Sequence, residues 1–415
     1  MGSTGVSAHP EFDPLSKASF EDPASIVQKL REEQPVFWYE PLGLWVVSRY
    51  EDADRVVTEW ETFSSSDNAP SVPEAVRDRF PEDLIKKMIT GIDPPEHTPA
   101  RRLLQASFVK PKIDPLAPVI EARAHEILDA ILADKSVDRN DFDIMESYCL
   151  NLTTKTLMAL LGLPDSDRPY FEQLRTDSIM ILISNREPLP EAENIALWNR
   201  FIASNEYYRK LVEERRNSDA NDIISTMASA RQPDGSVALS TERIALHLTE
   251  VSFAGTDTTA QAMANALLFL SRNPHVIEEA QKSPELWANV FEETIRRRPS
   301  APFAGRVAAK DVELGGVTIK KGDPIWIALA GANTDPRKFG CPMDFDIHRE
   351  KPTEHLAFTR GRHTCPGAPL ARLQGSIGLR VLFERIPTLR AVLDQPLDFA
   401  DFALLPVRQS LKVRW

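Results

Sequence analysis

Residues 241–273, TERIALHLTEVSFAGTDTTAQAMANALLFLSRN, carry apolar side chains three and four apart almost without interruption. A helix of that length spans about 50 Å at ~1.5 Å per residue, which sets the scale of the body around it. Ser240 is placed to cap its N-terminus and Glu242 sits in its first turn, where the helix dipole favours an acid. The same periodicity runs through most of 101–290, as in IEARAHEILDAILAD (120–134), DIISTMASA (222–230) and SPELWANVFEETIRRRP. Ahead of it, DPASIVQKLREEQP (22–35) reads as a helix stopped by Pro35, and VFWYEPLGLWVVSRY (36–50) as two strands around a Pro-Leu-Gly turn. After it come a β-rich stretch (307–329), a proline-rich irregular stretch (333–364) and a last helix over about 366–385. With no repeat, low-complexity tract or linker, the expectation is an N-terminal arm over 1–15 and one domain over 16–415, mainly α with a small β portion.

Composition narrows the function. A chain of 415 residues with net charge −12 is not built as a general nucleic-acid binder. It has no run approaching the ~20 apolar residues of a membrane span, and its start lacks the basic and apolar regions of a signal peptide. Val6 stands where a myristoylation motif needs Ser or Thr. Cys149, Cys341 and Cys365 are too widely spaced for a zinc set and too few for a disulfide framework. These features lead to the expectation of a cytoplasmic protein, monomeric and without a membrane or nucleic-acid partner.

Two stretches do not serve a plain helical body. In AGTDTT (254–259), a glycine and three threonines sit mid-helix, where glycine costs about 1 kcal/mol. Such a break suits a distorted, purposeful turn, though alone it also fits a tolerated glycine with outward threonines. In FTRGRHTCPGAPLAR (358–372), Pro366 suits a first helical position, so free amides would point back at Cys365 and, with Arg362 and His363, hold its sulfur ionised. The same cysteine read alone fits a buried thiol at a helix start. Glu293 and Arg296 share a helix face, and Thr98 with Pro99 would start a helix near His97 and Arg101.

Together these stretches resemble the cytochrome P-450 family. Phe358, Gly361, His363, Cys365 and Gly367 reproduce its heme-binding pattern F-x-x-G-x-(R/H)-x-C-x-G. The resemblance implies a single large triangular P-450 fold, with heme b held between the central helix (about 241–273) and the cysteine-loop helix (about 366–385). It makes Cys365 the thiolate ligand of the iron, which favours O–O cleavage. It places Phe358 by the sulfur and His363 at a heme propionate. His97 and Arg101 match the family's H-x-x-x-R and Arg306 a further propionate arginine, suited to charge-assisted bonds. AGTDTT is similar to the oxygen-activation motif: Thr258 would bond dioxygen, Asp257 relay protons, and Ala254 and Gly255 leave room. Glu293, Arg296 and Arg349 match a structural triad. Thr334 departs from the family, which usually has arginine there, and puts a local surface or meander contact in doubt while leaving the heme site alone.

The resemblance implies a heme-thiolate monooxygenase that hydroxylates, O-dealkylates or epoxidises a hydrophobic or aromatic small molecule. With no flavin or iron–sulfur domain in the sequence, two electrons from NAD(P)H would arrive through a separate ferredoxin reductase and ferredoxin. Arg102, Lys110, Lys112, Arg360, Arg362 and Arg372 are the expected basic docking patch. By family position, Met88, Leu182, Phe253, Ala254, Pro302, Phe303, Ala304, Leu404 and Leu405 would line the pocket. The competing readings are a peroxide-driven peroxygenase and a non-catalytic heme sensor or carrier; the Asp257–Thr258 pair argues against both.

Overall fold

The computed structural model describes residues 13–14, 16–66, 70–184, 189–218, 220, 222–394, 398–399 and 407–415. The arm expected over 1–15 lies outside them, apart from Asp13 and Pro14. Pro35 follows the helix Pro23–Glu33, whose cap Asp22 accepts a bond from the Ser25 amide. The alternating residues beyond it form β1 (Val36–Tyr39) and β2 (Leu44–Val47), joined by a turn in which Gly43 is left-handed. With β3 (Phe63–Ser64), β4 (Phe303–Ala308) and β5 (Pro324–Ala328) they make one sheet in the order β1-β2-β5-β4-β3. Its register sets Trp38 opposite Trp45, Val46 beside Trp326 in the parallel pair, and Arg306 opposite Ile325.

The rest is largely helical. The helices that position the site are α1 (His97–Ala106), α2 (Arg168–Ser184), α3 (Glu191–Arg215), α4 (Thr241–Ala254), α5 (Asp257–Arg272), α6 (Leu286–Arg297) and α7 (Ala368–Arg385). One apolar cluster joins them, with Leu104, Leu248, Met263, Phe291 and Leu379 all buried. Ser240 caps α4 as expected, its hydroxyl accepting from the Arg243 amide at 3.3 Å.

Three boundaries differ from the sequence reading. The 241–273 run folds as two helices, α4 and α5, interrupted at Gly255 and Thr256. A Cβ on Gly255 would lie 2.9 Å from the Leu157 side chain, so the neighbouring helix packs against bare backbone there. Helix α1 begins at His97, not after Thr98, because the His97 amide bonds back to the Asp93 carbonyl at 3.1 Å. Helix α7 begins at Ala368 with Gly367 as its cap, so Pro369, and not Pro366, occupies the first turn.

Candidate active site

The loop before α7 is tied to itself by short bonds. The Cys365 amide donates to the Phe358 carbonyl at 2.8 Å, the Thr359 hydroxyl to the His363 carbonyl at 2.9 Å, and the Thr364 hydroxyl to the Gly361 carbonyl at 2.8 Å. Gly361 has φ +71°, and a Cβ there would meet the Val57 carbonyl at 3.1 Å, so the loop turns where only glycine fits. Phe358 lies under the Arg372 guanidinium, 4.7 Å from its ring centroid. The Gly367 and Ala368 amides and the Arg101 and Arg372 guanidiniums draw the Cys365 thiol down, but burial outweighs them and its pKa is raised. Amides and cations thus favour the thiolate, as expected from the sequence, but without a cation at the sulfur they do not offset its burial.

Beside this loop, α1 and β4 bring further polar groups together. The His97 and His363 rings lie tilted against each other, their centroids 4.3 Å apart. Burial, with Arg101 next, pulls His97 down to about 4; burial, with Arg306 and His97 next, pulls His363 down to about 3. Burial lowers Arg306 to about 10. His97 Nε2, His363 Nε2 and Arg306 Nη2 are all buried without a hydrogen-bond partner. Arg101 behaves differently, donating to the Thr364 carbonyl of the cysteine loop.

The break between α4 and α5 carries a second group of the expected site residues. Ala254 is exposed although it sits in mid-body, and Thr258 is half-exposed. The Thr258 hydroxyl bonds the Ala254 carbonyl at 2.7 Å, and the Ser300 hydroxyl holds the Thr258 carbonyl at 2.6 Å. Asp257 turns the other way: it is 2 % exposed and pairs with Arg175 of α2 at 2.5 Å, with the Thr256 hydroxyl at 3.3 Å. Sequence reasoning missed Arg175, because nothing local in RTDSIM sets it apart; only the packing of α2 on α4 brings it to Asp257.

Comparison with known proteins decides what this arrangement is. The cytochrome P450 family model matches residues 8–398. The chain belongs to the cytochrome P450 family. It is 32% identical over 374 residues to a putative cytochrome P450, YjiB, of Bacillus subtilis, covering 89% of each chain. It is 30% identical to the polyketide biosynthesis cytochrome P450 PksS of the same organism, over 97% of this chain and 98% of that one. The crystal structure of epothilone D-bound cytochrome P450epoK superposes with TM-score 0.85 at 27% identity, covering 98% of this chain and 99% of that one. As a P450 it is a heme-thiolate monooxygenase.

The residues present fit heme. Buried donors without partners at His97, His363 and Arg306 are what two propionates require. Among the described residues no three His, Cys, Asp or Glu side chains converge to hold a bare metal ion, so a lone thiol suits a metal carried in a macrocycle.

Elsewhere the P450 departs in part from the sequence reading. Met88 and Phe253 do line one small cavity, whose other walls include Ile85, Phe201, Leu246 and Glu250. Pro302 and Phe303 line a hollow against Phe20 and Val27, with Phe303 stacked 4.8 Å from Trp326, and Ala304 pairs with Ile327 in the sheet. The side chain of Leu182 and residues Leu404 and Leu405 lie outside the described residues. Glu293 takes both Arg296 Nε and Nη2 at 2.7 Å and Arg349 Nε at 3.2 Å, fully buried. Thr334 is buried, not at the surface: its hydroxyl accepts from Arg31 at 3.1 Å, so a buried arginine from the first long helix serves this corner. In the expected basic patch, Arg372 is occupied by Glu292 at 2.8 and 2.6 Å, and Arg360 by Asp54 at 3.0 Å. Arg102, Lys110 and Lys112 are exposed.

Proposed function

We propose that this P450 oxidises a hydrophobic or aromatic small molecule held over the α4–α5 break, with electrons from NAD(P)H delivered by a separate ferredoxin system. The observation that carries the substrate class is the cavity wall of Ile85, Met88, Phe201, Leu246 and Phe253, apolar and set one turn from Ala254. Relatives are named for such molecules: an epothilone C/D epoxidase at 29% identity and PksS at 30%. A Cys365-ligated heme supplies dioxygen activation, one oxygen atom going to substrate and the other to water.

The chain's own residues have separate tasks in this reading. His97, His363 and Arg306 bind the propionates, and Arg101 braces the cysteine loop through Thr364. Ala254 and Gly255 keep the break open, and Thr258 presents its hydroxyl at the exposed side of the helix. Asp257, held by Arg175, is the proton relay behind it: swinging off that arginine would let the carboxylate take a proton from solvent and then pass it inward. Arg102, Lys110, Lys112 and Arg362, all exposed, are the cations for an acidic ferredoxin, with Arg360 and Arg372, held by Asp54 and Glu292, beside them.

The test is a ligand screen by the iron spin-state shift, followed by turnover of the hits with NAD(P)H, ferredoxin reductase and ferredoxin. Product that depends on all three supports the reading. Product with hydrogen peroxide alone moves the protein to the peroxygenases, and spin-state shifts without product to the carriers.

A further inference from the structure

Glu250 lies one turn before Ala254 on α4 and is only 4 % exposed. A carboxylate in an apolar wall is costly unless donors surround it. Here four do. Its Oε2 accepts from the Ile89 amide at 2.9 Å and from His247 Nδ1 at 3.0 Å. Its Oε1 accepts from the Thr90 hydroxyl at 3.0 Å and the Thr90 amide at 3.4 Å. His247 is itself fully buried on the same helix, three residues earlier, and fixes the carboxylate's rotation.

Ile89 and Thr90 belong to a segment with no strand pairing of its own; its internal bonds are turn bonds, Met88 N to Ile85 O and Gly91 N to Met88 O. Ile85 and Met88 of that segment, with Glu250 and Phe253 of α4, line the same small cavity. Downstream the segment runs into Asp93, which takes the Ser64 hydroxyl and lies 3.8 Å from His363 Nε2. The carboxylate is thus a polar tie between a helix that carries the reacting face and a loop that carries the opposing wall. A leucine would fill the same space without demanding four donors, so the demand itself sets the loop's position.

We propose that Glu250 is a specificity-determining positioning residue: with His247 it latches the 85–92 segment onto α4 and so sets the shape of the substrate cavity. The inference deepens the heme-thiolate reading of the site and depends on it only for its spectroscopic arm.

The test uses the holoenzyme and the variants Glu250→Gln, Glu250→Leu and Thr90→Val. Hydrogen exchange of the peptide spanning 85–92 reports the latch directly. The ratio of the binding constants of imidazole and 4-phenylimidazole, read from the Soret shift, reports the room in the cavity. Loss of the carboxylate should speed exchange of this peptide about tenfold and shift the imidazole ratio about fivefold, with other peptides unchanged. Thr90→Val, which loses one contact of four, should move both in the same direction by less. Wild-type exchange and wild-type ratio in Glu250→Gln and Thr90→Val overturn the proposal, even if Glu250→Leu fails to fold. A wild-type protein lacking the red-shifted carbonyl Soret band defeats the heme-thiolate reading instead, and the exchange arm, which needs no iron, still decides the latch.

Discussion

Replacing Arg175 with leucine removes the cation from a carboxylate that water does not reach. Asp257 is 2 % exposed, its Oδ1 lies 2.5 Å from Arg175 Nη1, and its other oxygen has only the Thr256 hydroxyl at 3.3 Å. At an effective dielectric constant near 20, charges about 4 Å apart attract by about 4 kcal/mol. Breaking one side of a buried pair usually costs about 3–5 kcal/mol, because the remaining charge stays buried. Arg175 retains 17 % of its side-chain exposure, which screens part of the attraction, so we expect about 2–4 kcal/mol. The assay is a double-mutant cycle of wild type, Arg175→Leu, Asp257→Asn and the double variant, comparing urea unfolding midpoints at matched slopes. Arg175→Leu should be destabilised, and the added Asp257→Asn should restore much of the loss, since no charge is then left unpaired. In turnover, Arg175→Leu should slow proton-dependent steps while leaving heme loading intact. A coupling energy below about 0.5 kcal/mol would refute the argument, because it would mean that the pair is solvated or not formed.

Three further outcomes are expected. Thr258→Ala should keep heme and substrate binding but divert electrons to hydrogen peroxide or water, measured as peroxide formed per NAD(P)H; unchanged coupling removes Thr258 from proton handling. Glu293→Gln leaves the buried Arg296 and Arg349 guanidiniums without their carboxylate, a loss of about 3–5 kcal/mol that should appear as poor soluble yield and low heme content, whereas wild-type yield would show the triad dispensable. Burial holds His97 at about 4 against an ordinary 6.5, so below pH 6.5 the unfolded chain binds a proton that the folded chain refuses. Stability of the heme-free protein should therefore fall as pH drops from 6.5 towards 4, by up to about 3 kcal/mol from this residue; a pH dependence identical in His97→Gln would count against it.

Much of the site was legible because its chemistry is local in sequence. Phe358, Gly361, His363 and Cys365 stand within one loop, and a positive φ at Gly361 is a demand that a single residue meets. The break at Gly255 was legible for the same reason: glycine and three threonines oppose a helix whatever surrounds them. Helix starts were less legible, since backbone bonds such as His97 N to Asp93 O compete with side-chain caps and leave no composition signal. Pairing within the basic patch was not legible, because a sequence does not show that Arg372 is bound to Glu292 eighty positions away.

Sequence alone determined the helical body and the family, and it marked Cys365 and the Asp257–Thr258 pair as the residues proposed for iron and for proton handling, since periodicity and motif are written in consecutive residues. Tertiary structure alone decided that Asp257 is held by Arg175, that Arg31 serves the corner at Thr334, and that Glu250 ties the 85–92 segment to α4. Each joins residues from tens to hundreds of positions apart. Such a partner is chosen by which buried charge lacks one, a question that exists only once the chain has packed.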